Sequence, residues 1–478
     1  MSLIINTNIS SLTAQNNLSK SQSALSQATQ RLSSGLKINS AADNAAGFAI
    51  SQRYTTQIGG LSQASANASD AINLAQTAGS ALDQVTSNLQ AIRDLAVQSA
   101  NGTYTDSDRA SINQEVQQRL AEITRIANQT TFNGSNVLNG SLGTKSFQIG
   151  AEVGQTISVN LNTNVKASAM GQVTEVKSGA IALPKGSATG TAAPASTDFS
   201  TTAASFTVDG NAVKLDAAYT ASTDMASAVQ TQLNASSPGT YTVSIDGTTN
   251  GLKITNNKAA SLAPVVAGAT ADLTAVFGGT GTVTTNDLSN EGLTINGTAV
   301  SLTGAQSMQD VSDAINAAGI IGVSAAVNAA GNGINFYSSS DLKIDDQAGN
   351  IIGGNATDGN TGGAYAAGDV ASKGGSLANG SVSTVDSAND LIARVDVALS
   401  SVSNFAAQLG AVQNRFQSTI STVAAQTTNL QASQSTIQDA DFAAETSHLS
   451  KAQVLQQAGI SVLAQANSNP QQVLKLLQ

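Results

Sequence analysis

Apolar residues recur at strict sevens near the C-terminal end of this chain: Val395, Val402, Leu409, Phe416, Val423, Leu430 and Ile437. A strand alternates its faces every second residue, so a seven-residue period excludes one and requires a helix. Without a proline to break it, that helix runs about 65 Å at ~1.5 Å per residue. One apolar seam of that length must be covered by a partner along most of its extent. Leu399, Ala406 and Ile420 fill the offset positions, while Gln413, Thr427 and Gln434 interrupt them.

Two further seams lie at the other end. Leu18, Leu25 and Leu32 stand seven apart, each followed three residues later by Ser21, Ala28 or Gly35. Leu61, Ala68, Ala75, Leu82, Leu89 and Ala96 repeat the spacing, with Ile72, Val85 and Ile92 interleaved. A last helical pattern spans 442–466, with Leu449, Leu455, Val462 and Leu463, and Asn469-Pro470 is expected to interrupt it before the apolar tail 473–477. The inner seams fit a bundle closed within one chain. The terminal ones lack large residues for a private core, which favours pairing with each other and with neighbouring copies.

Composition agrees with shallow, repeated packing. Charged residues are 11% and aromatic residues 3%, with no Trp, so few large side chains are available as anchors. The absence of Cys removes disulfides, thiol nucleophiles and zinc–thiolate sites. A formal net charge of -10 argues against nucleic acid and against an anionic membrane surface. No run of 18 apolar residues is present for a membrane helix, and the N-terminal sequence lacks the basic and apolar regions of a cleaved signal.

The middle of the chain changes to Gly, Thr, Ser and Ala with β-type alternation. It repeats itself: FTVDGNAVKL at 206–215 matches LTINGTAVSL at 293–302. Asp209-Gly210 and Asn296-Gly297 are two-residue hairpin turns. Each hairpin is followed by a short helical segment and a Gly-led strand, which predicts two small α+β modules near 205–257 and 292–345. A further hairpin is expected at 146–161. The fold class is therefore mixed and multidomain: a long α-helical coiled-coil or bundle core built from both chain termini, a small β-hairpin, and a central α+β or β-rich outer region.

Chemistry finds little purchase. The one His, His448, lies on an amphipathic segment and belongs to no HExxH motif. GGTGTVTTND at 278–287 has no Lys after its glycines and reads as a turn. Asp439 and Asp441, two apart, point to different helix faces and suit a cap or junction. RLSSGLKINSAADNAAGFAI at 31–50 has helix-period sequence on both sides, so its glycines mark a joint between helices rather than a phosphate loop. No catalytic residue, metal site or cofactor is expected.

At both ends the residues resemble bacterial flagellin. INTNISSLTAQNNL, QRLSSGLKINSAADNAAGFAIS, LAVQSANGT and TTFNGSNVLNG carry the resemblance at the N-terminal end. STIQDADFAAETSHLSKAQVLQQAGISVLAQAN and PQQVLKLLQ carry it at the other. The resemblance covers roughly 1–178 and 386–478, and the two central repeats are similar to an insertion motif of some flagellins. It implies a structural subunit, not an enzyme, of the helical flagellar filament used in motility. The expected layers are 1–43 with 441–478 as an inner tube of paired helices, 44–178 with 386–440 as an inner helical bundle, and 179–385 as an exposed outer region.

Self-assembly is then expected through Leu18, Leu25, Leu32, Leu449, Leu455 and Leu463. The bundle seam is expected at Leu82, Leu89, Val402, Leu409, Phe416, Val423 and Leu430. The partners implied are other copies of the chain, an export chaperone on the C-terminal helix, the filament cap and the hook–filament junction protein, with no nucleic acid and no membrane insertion. Export through the flagellum's own apparatus without a cleaved signal peptide, to an extracellular filament, follows from the same resemblance, as do terminal segments that fold on assembly. The host flagellin-sensing Toll-like receptor is a further implied partner, docking at Gln90, Leu95 and Glu115; the family's key Arg falls on Ala91 here, which lowers the expected affinity. A hook–filament junction protein is the alternative reading. A trimeric adhesin would need a signal peptide and a membrane barrel, and an inserted zinc protease would need histidines in the middle region.

Overall fold

The seven-residue periods become helices. The computed structural model describes residues 7–181, 187–257, 264, 266–278, 282–284, 288, 292–305, 307–347, 350–352 and 354–476. At the N-terminal end it contains α1 (Ile9–Ser34), α2 (Ala45–Ala100) and α3 (Asp106–Gln129). The middle holds α4 (Ser222–Ser236), α5 (Thr270–Phe277) and α6 (Met308–Ala317), and the chain closes with α7 (Val385–Gln438) and α8 (Phe442–Leu476). Two compact units are formed, one from 1–79, 143–161 and 408–478, the other from 80–142 and 162–407. Most of the glycine-rich run 278–287 lies outside the described residues.

In the first unit α1 packs on α8, and the start of α2 runs antiparallel to the end of α7. Gln434 Nε2 donates to Thr55 Oγ1 at 2.8 Å, and the Ser51 hydroxyl donates to Gln438 Oε1. The strands Gly143–Gln148 and Thr156–Leu161 form an antiparallel hairpin with alternating burial: Ile157, Val159 and Leu161 point inward. Phe147 of this hairpin meets Phe416 of α7 edge to face at 5.7 Å, so a β element covers part of the helical seam. Asn67 Nδ2 donates to the Gln148 carbonyl and ties the hairpin to α2.

The seam of α2 is covered at steps of three and four throughout: Leu61, Ala64, Ala68, Ala71, Ala75 and Ala78 are buried, then Leu82, Val85, Leu89, Ile92, Ala96 and Ser99. Small residues invisible to a search for large apolar ones thus complete it, while Ile72 is only half-buried. The offset positions on α7 differ from the sequence expectation. Ala398 and Phe405 are fully covered, whereas Leu399 and Ala406 sit half-buried on the flank. The covered step from Val395 and Val402 is three, not four.

In the second unit the end of α2, α3 and the start of α7 come together. Arg93 Nε donates to Asp396 Oδ1 at 2.7 Å across α2 and α7, and Ser99 Oγ donates to the Val382 carbonyl at 2.6 Å. Thr105 and Asp108 form a reciprocal capping box that starts α3. Each sequence repeat has the order hairpin, helix, hairpin. Ala204–Val208 pairs with Asn211–Leu215, and Leu293–Ile295 with Thr298–Ala299. Both turns are left-handed at both central residues, Asp209 φ 50 with Gly210 φ 81 and Asn296 φ 51 with Gly297 φ 80, as a type I′ turn requires. After α4, Tyr241–Ile245 pairs with Leu252–Asn256; after α6, Val323–Val327 pairs with Ile334–Ser338. Each repeat centres an apolar core, one around Phe206 and Met225 completed by Phe277 of α5, the other around Phe336, Val311 and Ile344 completed by Val176, Ile351 and Tyr365.

One expectation is overturned. Pro470 does not interrupt the last helix, because α8 continues through it to Leu476. Proline removes the N–H that would bond the carbonyl four residues earlier, Ala466. That carbonyl has another donor, Asn8 Nδ2, at 2.8 Å, so the missing bond is replaced from outside the helix.

Burial along α7 fades from fully covered Phe416 to half-buried Leu430 and Ile437. Phe416→Ala should therefore destabilise the folded chain by about 3–5 kcal/mol, and Leu430→Ala by less than about 2 kcal/mol. Denaturant titrations of the two variants check this; equal losses would contradict the graded cover.

Candidate functional site

The two chain ends meet at a joint built from the stretch 31–50. Gly35 ends α1 in the left-handed conformation at φ 72. Leu36 then bridges Asp439 in a short antiparallel contact. Lys37 N donates to the Gln438 carbonyl at 2.6 Å, and Ala440 N donates to the Gly35 carbonyl at 2.9 Å, so the α1–α2 and α7–α8 connections are zipped together. Asp43 Oδ2 accepts from Asn39 N, Ser40 N and Ser40 Oγ. These bonds, the backbone of Ser40 foremost, hold its carboxyl below the usual range. Asn44 Oδ1 accepts from Gly47 N. A Cβ at Gly47 would come within 2.6 Å of buried Ile38 Cδ1, so that glycine lets α2 begin against the joint. Asp441 Oδ1 accepts from Ala443 N and Ala444 N and caps α8, the junction role expected of it.

Beyond the joint α1 and α8 pair along one stripe each. On α1 it comprises Ser11, Ala14, Leu18, Ser21, Leu25, Ala28 and Leu32; on α8, Glu445, Leu449, Ala452, Gln456, Gly459, Leu463 and Ala466. Only Ala14, Ala28, Glu445, Ala452 and Ala466 are fully covered. The leucines are half-buried, and a Cβ added at Gly459 would meet Leu18 Cδ1 at 3.4 Å. Arg31 Nη1 and Glu445 Oε2 approach to 3.9 Å at the joint end. His448 lines a cavity of about 350 Å³ with Lys20, Arg31, Glu445 and Lys451. Ser21, Gln27 and small or apolar residues complete the lining.

Of the six residues expected in self-assembly, Leu18, Leu25, Leu32, Leu449 and Leu463 stand on this stripe. Leu455 is 48% exposed on the flank of this stripe, lining a cavity with Lys20 and Ser21 of α1, and Val454, Ile460 and Val462 are exposed around the same helix. Ile9 and Leu12 are likewise exposed on α1. Leu82, Leu89, Val402, Leu409, Phe416 and Val423 are buried, and Leu430 is half-buried. Gln90 and Glu115 are exposed, and Leu95 and Ala91 half-buried. Glu115 accepts from Arg119 at 2.7 Å, and Arg93 is held by Asp396.

Comparison with known proteins follows the same division. Residues 5–142 match the bacterial flagellin N-terminal helical region, and 392–477 the bacterial flagellin C-terminal helical region. The chain is 38% identical to the flagellin of Salmonella typhimurium and 38% identical to the B-type flagellin of Pseudomonas aeruginosa, in each case over the whole of both chains. Among solved structures, that of FliC from Burkholderia pseudomallei is 26% identical, covering 72% of this chain and 99% of that one at a TM-score of 0.31.

A buried cluster of charge that periodicity could not disclose lies in the second unit. Arg394 donates from Nε to Asp390 at 2.8 Å, from Nη1 to the Gly171 and Gly374 carbonyls, and from Nη2 to Asn360. Nearly every donor is spent on tying α7 to loops, so the cluster is a brace. Buried Glu175 stands beside it, 3.3 Å from Lys177 Nζ. Burial first, and then the Asp390 carboxylate, push the Glu175 carboxyl above its usual range, against the opposing pull of Lys177 and Arg394. Tyr337, paired with Glu175 across the sheet, is pushed up by burial as well. A raised carboxyl pKa stabilises the fold at low pH, and that contribution is lost as pH rises through the folded value. Glu175→Gln should therefore raise the melting temperature at pH 8 and leave it nearly unchanged at pH 4; a fall at pH 8 would mean that its ion pair with Lys177 outweighs its burial.

Proposed function

The chain belongs to the bacterial flagellin family, and on that footing we propose how its parts build the flagellar filament of which it is a structural subunit. It is not an enzyme, and the filament it forms lies outside the cell. The observation that carries the assembly reading is the exposed apolar surface of α8. Val454, Leu455, Ile460 and Val462 are exposed around a helix whose one stripe already faces α1. Each contributes ~1.5–3 kcal/mol when fully covered, and an identical neighbouring subunit covers them by a contact repeated without closing.

In this reading 1–43 with 441–478 form the inner tube, 44–178 with 386–440 the surrounding bundle, and 179–385 the exposed outer region. The terminal pair buries little beyond alanines within one subunit, so it orders fully only when neighbours cover its outer faces. The export chaperone binds the C-terminal helix before that cover exists. The chain leaves through the flagellum's own apparatus without a cleaved signal peptide, is placed under the filament cap, and continues from the hook–filament junction protein. Fragment-seeded polymerisation followed by electron microscopy tests the assembly reading. Long filaments are expected from the intact chain and none from one lacking 442–478, whereas short rings from the intact chain would favour a junction protein.

The host flagellin-sensing Toll-like receptor docks on α2 and α3 through Gln90, Leu95 and Glu115. Ala91 offers no guanidinium where the family has one, and Arg93 is occupied by Asp396. Ala91→Arg should raise receptor signalling at least about tenfold in a reporter assay, the scale of an arginine at an interface centre; no change would sink the assignment.

A further inference from the structure

The stripes that pair α1 with α8 are poor at choosing a register. They carry mostly Ala, Ser, Gly and Leu at every seventh place, so sliding one helix by a heptad brings Leu25 where Leu18 was and Ala28 where Ser21 was. Packing of small residues changes little under such a slip, and polar groups are the usual means of forbidding it. At the end of the pair away from the joint the structure holds such a device. Asn8 caps α1, its Oδ1 accepting from Ser11 N at 3.0 Å. The same amide donates from Nδ2 to the Ala466 carbonyl at 2.8 Å. That carbonyl is free because Pro470, four residues on within α8, has no N–H to offer it. Ser11 Oγ adds a bond to Asn467 Oδ1 at 2.8 Å.

We propose that Pro470 and Asn8 are positioning residues for assembly: the proline marks one carbonyl of α8 as unbonded, and the asparagine reads that mark and fixes the register in which the two chain ends pair. The proposal rests on the filament reading above. Asparagine suits the task because it carries an acceptor for the cap and a donor for the carbonyl on one short side chain. Serine would cap equally well but could not reach. Among the described residues of α8, Pro470 is the one proline. A slip by one heptad takes the Asn8 donor away from the part-buried Ala466 carbonyl, a loss that packing does not return.

Seeded polymerisation of the full-length chain tests this through four proteins: the parent, Asn8→Ser, Pro470→Ala and the double variant. Asn8→Ser keeps the cap and loses the donor, and should raise the critical concentration about tenfold. In the Pro470→Ala background residue 470 supplies its own N–H to Ala466, and the same change should matter less than about twofold. Because the chain has no Cys, the register is read directly by disulfide crosslinking. Ser11→Cys with Asn467→Cys reports the observed pairing, and Leu18→Cys with Asn467→Cys reports a slip of one heptad. Asn8→Ser should lower the first crosslink and raise the second. An equal effect of Asn8→Ser in both backgrounds, with an unchanged crosslink pattern, would overturn the proposal. A parent chain that fails to elongate seeds would instead overturn the filament reading beneath it.

Discussion

A helical seam of small residues has to be covered along its whole length, and this chain covers it by bringing its two ends together. The long helices α2 and α7 and the terminal pair α1 and α8 all run antiparallel, so segments hundreds of residues apart in sequence become neighbours. With 3% aromatic residues there are few anchors to hold such a pair. Many shallow contacts of Ala and Leu do it instead, reinforced where a large side chain is available, as at Phe416 against Phe147. The arrangement is stable where the cover is complete and weakens where α7 loses it toward Leu430 and Ile437.

Polar groups supply what small apolar seams lack, which is specificity of position. The joint aligns its two connections through the bonds of Lys37 and Ala440, and the glycines at 35 and 47 permit the turn and the close start of α2. Arg93 with Asp396 sets α2 against α7, and Asn8 with Ala466 sets α1 against α8. Arg394 braces α7 to the loops at Gly171 and Gly374. None of these groups is arranged to do chemistry. At Arg394, where the side chain is buried, the bonds match donors that burial would otherwise leave unmatched.

The central repeats follow a different economy. They have type I′ turns at Asp209-Gly210 and Asn296-Gly297 and well-covered cores around Met225 and Phe336, completed by flanking segments. The terminal pair has no such core. Its covered positions are mostly alanines, and its larger apolar residues, Leu455 and Val462 among them, face outward. This asymmetry suits a filament subunit, with a middle whose apolar residues are mostly covered within the chain and ends that keep apolar surface for neighbours.

Sequence by itself determined the helices at both ends, the joint at 31–50, the hairpin, the two repeats and the family, because heptad spacing, Gly-marked turns and terminal motifs are local patterns. Of the leucines that spacing singles out, Leu18, Leu25, Leu32, Leu449 and Leu463 stand on the paired stripe and Leu455 on its flank, a difference that spacing alone does not show. It missed the covering roles of Ala398, Phe405, Ala64 and Ser99, since small or offset residues gain their burial from whatever packs over them. It read Pro470 as a break because the donor that replaces the lost bond comes from Asn8, at the opposite end of the chain. What only the tertiary structure decided was therefore every feature that depends on a partner far away in sequence: which stripe is covered, which carbonyl is bonded and in which register the ends meet. Local periodicity fixes the shape of each helix, but contact across hundreds of residues is a property of the folded chain alone.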